Sequence, residues 1–214
     1  MSAKDCDHHG GGYYWGWGRH KFYRRLCAVL LFLVIVALLV ILIVWLVLRP
    51  SKPKYYLQDV TVYSLNLSSP SYLSTTIQVT LSSKNPNDRV GIYYDKLDVY
   101  AEYKNQQITV PTELPTGYQG HDDVSVWSPY LAATNVPLAP YLVVALAEDQ
   151  TAGYLLIDIK VDGRLRWKVG TWISSNYHIS VSCPAFLTVL NGNGNGNSVT
   201  GYHFQQISSC TVDV

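Results

Sequence analysis

The chain of 214 residues has room for one ordinary domain plus extra segments, and hardly for two domains. Its formal net charge is +1, and from Arg49 onward 11 Lys and Arg stand against 13 Asp and Glu, so no basic stripe is available to neutralise a phosphate backbone. Those numbers exclude nucleic acid as a partner.

Residues 1–25 mix glycine, aromatic and histidine residues, and this density of glycine predicts a disordered tail with too little aliphatic surface for a core. Cys6, His8 and His9 are potential metal ligands, but a fourth ligand at fixed spacing is missing, so the tail gives no metal centre. Residues 26–48 contain no charged side chain and are almost all Leu, Val, Ile, Ala or Phe. As a helix the stretch is roughly 34 Å long at about 1.5 Å per residue, against a hydrocarbon core of about 30 Å. A helix of a soluble core would need a polar face, and none is present. The run is longer than the apolar part of a signal peptide and ends on Trp45-Leu46-Val47-Leu48-Arg49-Pro50 without small residues, which predicts an uncleaved anchor. Cys27, where the helix enters the bilayer, reads first as an ordinary small apolar residue, with S-palmitoylation as the alternative its position allows.

Arg19, Lys21, Arg24 and Arg25 precede the span, while Arg49, Lys52 and Lys54 follow it, so flanking charge favours a cytoplasmic N-terminus only weakly. Two features after the span add to it. Asn66-Leu67-Ser68 is an N-glycosylation pattern, and Cys183 and Cys210 lie where an oxidising compartment lets them pair. The expected topology is N-terminus inside, C-terminus outside.

Beyond Pro50 the pattern alternates. Leu73, Thr75, Ile77, Val79 and Leu81 share one parity, as do Leu97, Val99, Ala101 and Tyr103, and each set predicts a strand with one buried face. A turn at Lys104-Asn105 returns the chain through Ile108 and Val110. Leu138, Leu142 and Leu146 are spaced by four behind Pro137 and Pro140, and Gly153 is placed to end that one helix. Leu155, Ile157, Ile159, Val161, Leu165, Trp167 and Val169 keep one parity straight through Asp162-Gly163. A two-residue hairpin there would put Val161 and Arg164 on the same face, so the parity predicts one long strand, bent or bulged at Gly163. Further strands are expected near residues 55–64, 124–135, 172–182 and 203–212. The run Asn-Gly-Asn-Gly-Asn-Gly-Asn at 191–197 reads as a flexible surface loop between the last two strands. Cys183 and Cys210 bracket it; bonded, they close a loop of about 28 residues, worth very roughly 3–4 kcal/mol in the chain-entropy model. Short alternating strands with a single helix define a mainly β chain, an antiparallel β-sandwich behind a single transmembrane helix. Residues 1–25 are then tail, 26–48 span, 49–70 juxtamembrane segment and first strand, and 71–214 the rest of the sandwich.

Asn85-Pro86-Asn87 predicts a turn between strands, with contact to a partner as the functional alternative. Tyr93-Tyr94-Asp95 follows as an expected exposed aromatic and acidic lip. Arg164, Arg166 and Lys168 lie on one face of the long strand, either as a solvated face or as a basic strip for an acidic partner, cell-wall polyanion or headgroup. His121-Asp122-Asp123 is read as a solvated turn, since a metal would need a further ligand. No nucleophile elbow, phosphate loop or His-x-x-x-His pair occurs, and the carboxylates are scattered, so neither enzymatic activity nor a cofactor is expected.

Three blocks carry a family resemblance: NPNDRVGIYYD at 85–95, GYQGHDD at 117–123 and VDGRLRWKVGTWISSNYHISVSCPAF at 161–186. With the RPSKPKYYLQDVTVY entry after the span, the chain resembles the harpin-induced and non-race-specific-disease-resistance-like membrane proteins of plants, the NHL family. The resemblance runs from the span to Val214 and implies a late-embryogenesis-abundant group-two domain, a fibronectin-type-III-like sandwich. It also implies plasma-membrane residence and a part in defence or stress signalling. The asparagine–glycine run departs from the family pattern. The expected partners are the membrane and other membrane or extracellular proteins, a second copy included.

Overall fold

The computed structural model describes residues 16–48, 50–68, 71–194 and 197–214. The chain divides into two compact units, Met1–Arg49 and Pro50–Val214.

The first unit contains helix α1, Gly16–Leu48. Its stretch Tyr23–Ile43 is long and apolar enough to cross a membrane, and none of it is buried against protein. The helix starts ten residues before the expected span, so residues 16–25 are helical and not the disordered tail their glycines predict. The physical reason is cooperativity: once the apolar segment has nucleated a helix, each added residue gains a hydrogen bond without a new nucleus, which offsets the ~1 kcal/mol cost of a glycine. Residues 1–15, with Cys6, His8 and His9, lie outside the described residues.

The second unit runs β1 Lys54–Ser68, β2 Tyr72–Lys84, β3 Val90–Tyr103, β4 Gln106–Gln107, β5 Thr112–Glu113, β6 Gly117–Gln119, β7 Val124–Trp127 and β8 Tyr130–Pro137, then helix α2 Pro140–Ala152. It continues with β9 Tyr154–Val169, β10 Trp172–Ile173, β11 Tyr177–Gly194, β12 Asn197–Phe204, β13 Ser208–Ser209 and β14 Thr211–Asp213. Among the described residues these form two antiparallel sheets. The smaller has the order β13-β1-β2-β7 with β8 also on β2; the larger runs β12-β11-β9-β3-β4, with β5 and β6 on β3, β10 on β9 and β14 on β11. One core lies between them, drawing Leu57, Ile77 and Leu131 from the first sheet and Val99, Ile159 and Val181 from the second.

The alternation in sequence maps onto this core. Leu73, Thr75, Ile77, Val79 and Leu81 are all buried on β2, and Thr75 satisfies its hydroxyl on the Ser64 carbonyl at 2.9 Å. The long strand through Asp162-Gly163 is present as β9. The irregularity sits on its neighbour: β3 bulges between Tyr94 and Lys96, opposite Leu165 and Arg164. Gly163 makes room for that bulge, because a Cβ there would overlap the Lys96 carbonyl oxygen. Lys104 and Asn105 form the predicted turn with φ of 47° and 66°. Helix α2 buries Leu142 and Leu146 and ends on Gly153 at φ 86°.

Several expected strands need correction: residues 172–182 divide between β10 and β11, and residues 203–212 among the end of β12, β13 and β14. The stretch near 124–135 is two strands, β7 and β8, because Pro129 lacks the N–H a continuous strand would use; both still pair with β2. Within the asparagine–glycine run the described residues 191–194 and 197 are not loop but paired strand, with Asn191↔Thr200 through Gly194↔Asn197 in register. Ladder bonds are made by the main chain alone, so this pairing needs no apolar side chains.

Candidate functional site

The Asn-Pro-Asn segment joins β2 to β3, and its side chains point inward. Asn85 is fully buried and donates from Nδ2 to the carbonyls of Val90 and Gly120, each at 2.7 Å. Its Oδ1 accepts from the Asn87 backbone N–H at 3.1 Å and from Asn87 Nδ2 at 2.8 Å. Asn87 is 8% exposed and clamps Ser51, donating to its carbonyl and accepting from its N–H, both at 2.8 Å. The amides are consumed inside the domain, so the expectation that Asn85 and Asn87 touch a partner is corrected; Pro86 is half-buried between them.

Tyr94 is corrected in the same way. The inward parity of Leu97 to Tyr103, carried back along β3, would turn Tyr94 outward, but the bulge inverts it and buries the ring. Its hydroxyl lies 3.0 Å from Ser83 Oγ and donates to Gln119 Oε1 at 3.0 Å. Gln119 Nε2 donates to the Ser83 and Asp123 carbonyls at 2.7 and 3.1 Å. Burial pushes the Tyr94 phenol up, and burial with the neighbouring Tyr94 pushes Tyr55 well above its ordinary value. Sequence reasoning has no handle on Ser83 and Gln119, whose roles come from strands brought together by the fold.

Tyr93 and Asp95 do face outward, and they meet the basic residues of β9. Arg164, Arg166 and Lys168 share the outer face of that strand, as alternation predicts. Arg166 holds Asp95 with two hydrogen bonds of 2.7 and 2.6 Å and lies 5.7 Å from the Tyr93 ring centroid. The Asp95 carboxylate favours the charged guanidinium and raises its pKa. Lys168 Nζ sits 4.8 Å from the Tyr118 centroid and 5.5 Å from that of Tyr93, and donates to the Tyr93 hydroxyl at 3.3 Å. The two rings are 4.8 Å apart, and Tyr118 lies across Gly91, where a Cβ would collide with it. The strip is thus a basic–aromatic cluster with one charge already paired, not a row of free cations. Arg164 remains exposed beyond the bulge.

His121-Asp122-Asp123 forms a turn in which Asp122 has φ 51° and Asp123 accepts from the Val124 N–H at 2.8 Å. No three His, Cys, Asp or Glu come together to hold a metal among the described residues. Cys183 and Cys210 are bonded. Cys210 lies between β13, paired with β1 of the smaller sheet, and β14, paired with β11 of the larger, so the bridge pins the chain where it crosses between sheets. Asn66 is exposed near the end of β1, and Cys27 is exposed on α1.

A membrane-capable helix leading into one disulfide-pinned, two-sheet β domain defines a class of anchored β-module. A family model described as "Late embryogenesis abundant protein" matches residues 80–183. The chain is 46% identical to NDR1/HIN1-like protein 1 of Arabidopsis thaliana over 99% of its own length and 100% of that protein, and 44% identical to NDR1/HIN1-like protein 12 over 100% of both. It is 26% identical to Protein NDR1 of the same plant over 80% of this chain and 78% of that one. The chain belongs to the NDR1/HIN1-like family. The solution structure of AT1g01470 from Arabidopsis thaliana aligns with a TM-score of 0.35 at 16% identity, covering 65% of this chain and 83% of that one.

Proposed function

We propose that this protein is a non-enzymatic, single-pass plasma-membrane protein that holds its β-sandwich outside the cell and acts in plant defence or stress signalling. It acts by associating with other membrane or extracellular proteins, or with itself. The observation that carries the outside placement is the Cys183–Cys210 bond within the domain that follows the helix, since such bonds persist in oxidising compartments. The exposed Asn66 sequon supports the same side, and the defence role rests on the family. Cys27 is a candidate for acylation on the inner side.

The test is protease protection and glycosidase treatment of intact protoplasts carrying a C-terminal tag. External protease is expected to remove the tag, and glycosidase to shift the protein unless Asn66 is changed to Gln. A tag that stays protected would overturn the topology. The exposed Arg164 beside the Lys168 cluster supports a second reading, a tether to an acidic wall polymer. Unchanged membrane–wall attachment on plasmolysis of cells lacking the protein would count against that tether.

A further inference from the structure

The β9–β10 hairpin turns at Gly170-Thr171, with Gly170 at φ 58°, and places two apolar side chains in solvent. Trp172 is 63% exposed and Ile173 41% exposed. Isolated exposed apolar residues are ordinary, but these are not isolated. Ile173 pairs with Lys168, Lys168 pairs with Gly91 on the next strand, and Tyr118, 45% exposed, lies over Gly91. Ile173 thus shares the face of Tyr93, Tyr118 and a lysine whose ammonium is held over the tyrosine rings, while Trp172, paired with Val169, projects to the opposite face of the same tip. That mixture of apolar body and polar tip suits the headgroup region of a bilayer.

The position of this edge in the domain says what covers it. A chain of contacts links it to the point where the chain enters the domain. Trp172 pairs with Val169, Val169 with Val90, the Val90 carbonyl accepts from Asn85, Asn85 bonds Asn87, and Asn87 clamps both backbone groups of Ser51. Adjacent strands are about 5 Å apart, which puts Trp172 on the order of 20 Å from Ser51. Ser51 is three residues past Leu48, the last residue of α1, a reach of at most ~11 Å. The far end of the domain, at the β1–β2 hairpin, is a 15-residue strand away, about 50 Å. A surface tethered this tightly to a membrane-spanning helix meets the bilayer at a high effective concentration.

We infer that the Trp172–Ile173 hairpin tip, with Tyr118 and Lys168, docks the domain onto the headgroup layer of the membrane that its own helix spans. The docking rests on the anchored reading but not on which side of the membrane the domain occupies.

The test uses the full chain, one copy per phosphatidylcholine nanodisc, with and without bromine-labelled acyl chains. Subtracting the emission of a Trp172→Phe variant isolates Trp172. The expected result is emission to the blue of tryptophan in water, quenched by the brominated lipid, with the quenching reduced in an Ile173→Asn variant. Emission like that of free tryptophan, without quenching, would overturn the docking. Blue-shifted emission that brominated lipid leaves untouched would overturn it too, because the ring would then be covered by protein. Trp45 in α1 keeps the two readings apart: if it also escapes quenching, the helix is not in the bilayer and the anchored reading fails first. Trp172 is exposed, so Trp172→Phe is expected to leave the circular-dichroism spectrum unchanged, which checks that the difference spectrum reports one side chain.

Discussion

Asn87 uses its Nδ2 and Oδ1 inside the domain, bridging the Asn85 amide to both backbone groups of Ser51. Buried polar groups stripped of a partner cost about 1–3 kcal/mol each, and Ser51 is exposed enough for water to replace part of what it loses. Asn87→Ala is therefore expected to destabilise the domain by about 2–3 kcal/mol, read as a shift in the urea midpoint of the full chain in detergent. Asn66→Gln, on an exposed side chain, should leave that midpoint unchanged. Equal effects from the two would show that the buried amide pair contributes nothing particular. The sequence marks Asn85-Pro86-Asn87 as a turn because the backbone preferences of these residues are local. It does not mark the direction of the amides, which depends on Ser51 arriving from 36 residues away.

At the scale of elements, the chain from β11 to β14 is the segment most dependent on a covalent tie. β13 and β14 are two and three residues long, and they pair with different sheets. So little pairing cannot hold the C-terminal segment by itself, and the Cys183–Cys210 bond closes it onto β11. Replacing both cysteines by serine is expected to cost about 3–4 kcal/mol, measured by thermal or urea unfolding of the non-reduced chain against the variant. Hydrogen exchange should then rise first in residues 208–213. An unchanged unfolding midpoint would mean that the strands at the crossing suffice without the bond. The parity of β9 and the four-residue spacing of α2 were readable in sequence, because each element keeps one regular face toward the core. The bulge of β3 was not, since one inserted residue reverses the faces and leaves no mark in composition.

At the scale of the whole molecule, the core contains phenols whose ionisation opposes the fold. Burial raises Tyr55 and Tyr94, and burial together with the Asp149 hydrogen bond of 2.7 Å pushes Tyr103 up to about 12. In the unfolded chain these groups titrate near the ordinary value of about 10. Between the two values the native state binds more protons than the unfolded state, so stability is complete below about pH 10 and falls as pH rises above it. The full chain in detergent is accordingly expected to lose cooperative structure at alkaline pH, with part of its tyrosinate absorbance appearing only as it unfolds. If all the tyrosines ionise near pH 10 while the circular dichroism stays native, the buried phenol network is wrong.

The sequence alone determined what depends on near neighbours or on unbroken runs. Residues 26–48 can satisfy their backbone in a bilayer only as a helix, and the alternation of β2 and β9 can bury one face only as strands. Only the tertiary structure decided which outward side chains meet across strands. Tyr93, Tyr118 and Lys168 come from segments up to 75 residues apart, and the bulge opposite Gly163 decides which of two adjacent tyrosines faces water. Strand pairing sets those meetings, and register is a long-range property that no local pattern encodes.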